Sequence, residues 1–121
     1  MSVASPDELR IINDYILLPM IITMVERSRD DIKESGITLA DLYVKTTNII
    51  GSVIVRELTE TKRTLRGLNI VVYSAVNVED GAKYRYRVRG KEDHFELTRE
   101  YVRTEIVKRI ADYTAALFQK A

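Results

Sequence analysis

Four cations at every second position, Lys83, Arg85, Arg87 and Arg89, with Tyr84 and Tyr86 between them, form the sharpest chemical pattern in this 121-residue chain. On a strand, that alternation places the four charges on one face, roughly 6.6–7 Å apart. Such a row can follow the phosphates of a nucleic acid, each neutralised charge releasing a counterion, or seat an acidic protein. It can equally be a solvated outer face that guards a sheet edge, with Glu92, Asp93 and Glu96 close by to balance it. The solvated face is the preferred reading. The intervening tyrosines point the other way, into a core, which leaves Tyr73 as the aromatic candidate for stacking beside the cations.

Other chemistries find less to work with. The chain has no cysteine, which removes thiolate nucleophiles, disulfides, Fe–S clusters and Cys-type zinc sites. Its one histidine, His94, stands near the expected start of the last helix without a nucleophile placed by any motif. No phosphate-binding Gly-rich loop, HExxH or EF-hand pattern occurs. Glu26, Asp30 and Glu34 recur at i, i+4 and i+8 beside Asp31, a row that could hold a hard cation. Interleaved Arg27, Arg29 and Lys33 make it an ordinary solvated helix face instead. The reading is a protein without catalytic activity, cofactor or metal.

Nineteen basic and 18 acidic side chains nearly cancel. Residues 1–55 are acidic on balance and residues 56–109 basic, a polarity that the neutral total hides. With 45% hydrophobic residues, five glycines and two prolines, the chain is too apolar for disorder. Its length suits one domain, residues 1–121. The longest apolar run, Tyr15 to Val25, is half of what a membrane span needs. No basic stretch leads into an apolar one at the N-terminus. A cytoplasmic protein that avoids the membrane is expected.

The elements that must position these residues follow from caps and periodicity. Ser5-Pro6-Asp7-Glu8 is a capping box with proline at the first helical position. The helix it starts carries two apolar stripes: Leu9, Ile12, Ile16 and Met20 on one, Ile11, Tyr15, Leu18, Ile22 and Val25 on the other. Pro19 removes a backbone hydrogen bond, so a kink or break is expected there. Gly36 suits a left-handed C-terminal position. Thr38 and Asp41 mark a second start, and 3,4-spacing through the β-branched run Ile49–Val55 favours helix over strand, giving an αα-hairpin.

Residues 70–78 then alternate as a strand, and residues 83–89 as its hairpin partner. A three-residue loop, Glu79-Asp80-Gly81 with Gly81 left-handed, sets Ile70, Val72, Val76 and Val78 beside Tyr84, Tyr86 and Val88. In that register Tyr73 and Asn77 share the cationic face. A helix from about Leu97 to Gln119, capped by Thr98, closes an α+β fold of order α-α-β-β-α.

Two apolar stripes on one helix need cover on two sides. The second, Ile11, Tyr15, Leu18, Ile22 and Val25, is the candidate homodimer interface. The function read from these features is a dimeric protein-interaction or regulatory module with an acidic partner at the basic face. The alternative is a winged-helix-like nucleic-acid-binding protein with the basic hairpin as wing, although Lys45 is the sole cation early in its would-be recognition helix.

Overall fold

The computed structural model describes residues 3–119. Its order is helix α1 (Pro6–Ser35), helix α2 (Ala40–Gly67), strands β1 (Ile70–Val72), β2 (Val76–Val78), β3 (Gly81–Val88) and β4 (Lys91–Thr98), then helix α3 (Arg99–Gln119). This is the α+β arrangement expected, with an αα-hairpin, an antiparallel sheet and a C-terminal helix.

The capping box opens α1 as its residues require. Ser5 Oγ accepts from the Glu8 amide at 3.1 Å, and the Ser5 amide donates to Glu8 Oε1 at 3.0 Å. Gly36 ends the helix at φ 70°, a conformation free of penalty only without a Cβ. Between these ends α1 runs through Pro19 without a break, contrary to one half of the expectation. Pro19 is exposed, so the Tyr15 carbonyl it leaves unpaired lies on the same, solvent-facing side. Neighbouring Ile16, Leu17, Leu18 and Ile21 are all buried and hold the segment helical.

Two core clusters lie on opposite sides of α1. One joins Ile12 and Ile16 to Leu65, Ile70, Tyr84, Tyr86 and Val88. The other joins Leu17, Leu18, Ile21 and Val25 to Ile50 and Ile54 of α2 and Ile106 of α3. Helix α2 starts at Ala40 with Leu39 rather than Thr38 as its N-cap, one residue later than its sequence suggests, and its N-terminus has no side-chain cap. It remains helical through Ile49–Val55, as the spacing predicts.

The sheet departs from a simple hairpin in two ways. First, residues 70–78 form two short strands on one edge of β3. Val72 pairs with Tyr86 but Val76 pairs with Lys83, so three residues face two and the edge bulges. The turn is Glu79-Asp80 alone, with Asp80, not Gly81, at positive φ. Ile70 and Val72 sit beside Val88 and Tyr86 as expected. Past the bulge the facing inverts: Val76 is exposed on the cationic side and Asn77 pairs with Ala82 on the inner one. Second, residues 91–98, expected to lead into the last helix, form β4 on the other edge of β3. The connecting loop Arg89-Gly90 has φ 48° and 87°, the positive values that a two-residue type I′ loop needs.

Polar contacts fix this frame. Tyr86 is buried and donates its hydroxyl to Asp93 Oδ2 at 3.3 Å. Asp93 also accepts from the Val3 amide at 3.1 Å and the His94 amide at 2.8 Å, bonds that hold its carboxyl below the usual range. Arg89 Nη1 reaches Glu8 Oε2 at 2.9 Å and the Leu68 carbonyl at 3.0 Å. One side chain thus ties the β3–β4 loop to the start of α1 and the end of α2. Thr98 Oγ1 accepts from the Tyr101 amide at 3.1 Å and caps α3.

Two outcomes follow. A Cβ at Gly81 would collide with the Leu97 carbonyl, whereas one at Gly67 meets nothing. Gly81→Ala should therefore cost at least about 2 kcal/mol in urea unfolding, and Gly67→Ala should leave the midpoint unchanged or raise it. The Arg89 hydrogen bonds, with the Ser5 amide, lower the Glu8 carboxyl from 4.5 to about 2. A group depressed on folding stabilises above its unfolded value and loses that contribution as pH falls toward the folded one. In thermal melts the advantage of wild type over Glu8→Gln should be full above about pH 5 and gone near pH 2. A difference constant with pH would contradict the clamp.

Candidate interaction surfaces

Strand β3 sets Lys83, Arg85 and Arg87 outward, as its alternation dictates, while Tyr84 and Tyr86 point inward and are buried. Arg89 is not part of this row. It stands in the loop beyond the strand and turns its guanidinium to Glu8 and Leu68. The two-residue turn at Arg89-Gly90, with positive φ at both positions, is what removes it, and strand alternation cannot foresee it.

Strand β4 changes the charge of the face. Its cross-strand partners place Glu96 opposite Lys83, His94 opposite Arg85 and Glu92 opposite Arg87. Arg87 Nη2 lies 3.1 Å from Glu92 Oε1. Arg85 stacks its guanidinium over the Tyr73 ring, 5.5 Å from the centroid, so Tyr73 does share this face but presents one of its sides to arginine. Among the described residues, Lys83 and Arg85 enter no ion pair. The row is therefore two open cations within a mixed strip, and His94 belongs to that strip rather than to the last helix.

The second stripe of α1 is satisfied inside the chain. Leu18 is 2% exposed and Val25 7%, both core. Ile11, Tyr15 and Ile22 are half-buried and lie along α2: Ile11 and Leu18 face Glu57 and Thr61, and Ile22 and Val25 face Thr47 and Gly51. Of the two ways to cover this stripe, a neighbouring helix or a second subunit, the fold uses the helix. Leu18 and Val25 are thereby taken up inside the chain, while Ile11, Tyr15 and Ile22 stay half-buried along this seam.

An uncovered apolar surface runs from the N-cap of α2 along the helix. Leu39, Leu42, Tyr43 and Ile49 are exposed by 54, 57, 45 and 49%. Leu39, Leu42, Thr46, Ile49 and Val53 follow at 3,4-spacing on the flank that meets α3, and Ile49 and Val53 share a cleft with Tyr113, Ala116 and Leu117. Tyr113 donates its hydroxyl to Glu57 in this region, and burial together with that carboxylate pushes its pKa up. The described part of α3 runs along α2 as far as Ile49, so Leu42 and Leu39 extend past it. Sequence spacing contained this stripe, but nothing in the spacing distinguished it from the stripe that α1 covers.

Glu26, Asp30 and Glu34 are exposed, and Asp30 pairs with Arg29 at 3.3 Å. No described helix is long and apolar enough to cross a membrane. Comparison with curated proteins finds no match, and neither does comparison with solved structures. A family model described as YhjD protein matches residues 3–118, nearly the full length. The chain belongs to the YhjD protein family.

Proposed function

We propose that this chain is a small non-catalytic protein of the cytoplasm that acts as a dimeric interaction or regulatory module, its self-association running through α2. The observation that carries this reading is the row Leu39, Leu42 and Ile49, three large aliphatic side chains about half exposed at the N-cap and along one flank of a long helix. Each buried leucine or isoleucine contributes roughly 1.5–3 kcal/mol. Contiguous exposed apolar patches of this kind mark association surfaces. Two copies related by a two-fold axis bury the same patch on each other, which needs no second surface. The 3,4-spacing suits helix-on-helix contact.

Light scattering across a concentration series tests this. The wild type should weigh twice 13.9 kDa at high concentration, and Leu42→Glu and Ile49→Glu should each give monomer with unchanged far-ultraviolet circular dichroism. A wild type monomeric throughout would overturn the reading.

A competing reading keeps the cationic strand as a nucleic-acid surface and rests on the two open charges, Lys83 and Arg85. Two neutralised phosphates give a log–log salt slope near −1.8 at most, from about −0.9 per contact on duplex DNA. Binding with a slope near −1.8 that Arg85→Ala roughly halves would favour nucleic acid as the partner. No binding at low salt would end that reading.

A further inference from the structure

A second apolar feature lies away from the α2 stripe. Where α1, the inner sheet face and the first four turns of α3 converge, the fold leaves an open groove of about 460 Å³, within the range of small-molecule sites. Its floor and walls include Tyr84 and Leu97 of the sheet, Met20 and Met24 of α1, and Ile106 and Val107 of α3. Met24 and Val107 remain exposed at its rim. The methionines give this lining an adaptable shape.

Its charge is one-sided. Arg99 and Arg103 line the groove from successive turns of α3, with Asn77 as a neutral polar neighbour, and no carboxylate lines it among the described residues. Neither arginine enters an ion pair among those residues. Residues four apart on a helix have their Cβ atoms roughly 5–6 Å from each other, so both guanidinium groups can close on one anionic head. Arginine's planar fork suits a carboxylate in two-point contact. The α3 wall continues from Arg99 to Ile110, roughly 16 Å at 1.5 Å per residue. Beyond the arginines that length is apolar except for the helix backbone.

We infer that the groove between α1, the sheet and α3 binds a linear aliphatic monocarboxylate of medium chain length, its head held by Arg99 and Arg103 and its tail laid along Ile106 and Val107. The charge of the rim selects the anion over the alcohol or the amine. The long apolar wall selects a chain over a free small anion.

Calorimetric titration with decanoate, mapped by amide shifts in NMR spectra, tests the inference. Saturable binding with shifts in α3, β3 and β4 is expected. Hexanoate should bind on the order of a hundredfold more weakly because four methylenes are lost, and acetate not measurably. Decanol, and the double variant Arg99→Ala, Arg103→Ala with decanoate, should each show at least a tenfold loss. Val107→Glu, at an exposed rim position, should abolish binding, while Arg85→Ala should leave it intact. Equal affinity for decanol and decanoate, no saturable binding, or shifts confined to Leu39–Val53 would overturn it. Cosedimentation with anionic phospholipid vesicles without binding of free decanoate would overturn it too, since the partner would then be a lipid surface.

Discussion

Along its middle third helix α1 buries apolar side chains on two opposite sides and leaves the strip around Pro19 and Thr23 to water. Ile12, Ile16, Leu17, Leu18, Ile21 and Val25 are buried and point around much of its circumference. Their burial is worth on the order of 10 kcal/mol, against about 3 kcal/mol for a proline within a helix. That inequality explains why Pro19 sits in a continuous helix, and why it occupies the solvent side. It also dictates the rest of the architecture. The sheet and the end of α2 cover one side of it, and the middle of α2 together with α3 covers the other.

Once α1 is enclosed, the remaining elements have constrained faces. The sheet must offer an apolar side to Ile12 and Ile16, which Ile70, Val72, Tyr84, Tyr86 and Val88 supply. The bulge after Val72 releases Val76 to the opposite side and brings Asn77 inward. Asp93 lies on that inner side at the polar end and is tolerated there because Tyr86, Val3 and His94 all donate to it. Arg89 binds three chain segments together from a loop position. The same enclosure leaves two apolar regions over: the outer flank of α2, and the groove where α3 diverges from the sheet.

Much of this was legible in the residues. The capping box, Gly36 and the 3,4-spacing of α2 located the helical hairpin, and the alternation of residues 83–88 located β3 and its facing. What was not legible has physical causes. Strand β4 reads Lys-Glu-Asp-His-Phe-Glu-Leu-Thr, whose only apolar alternation is Phe95 and Leu97. Gly90 was the signal for its turn, in an Arg-Gly pair far from the usual Asn-Gly. The bulge depends on one extra residue among Tyr73, Ser74 and Ala75, for which no local sequence mark exists. Without β4 the carboxylates Glu92 and Glu96 could not be placed opposite the cations, so the basic row looked stronger than it is. The two stripes of α1 demanded cover on two sides, and where spacing left a helix and a second subunit both open, α2 packs against Leu18 and Val25. The surplus apolar surface lay on the outer flank of that covering helix.

Amide hydrogen exchange measured over a wide range of protein concentration separates cover within one chain from cover by a second. Amides of Ile12 to Val25 should exchange only with global unfolding, at a rate that does not change on dilution, while any concentration dependence is confined to Leu39–Val53. Protection of the α1 amides that falls as the protein is diluted would mean that its apolar circumference is completed by another subunit, against the architecture described.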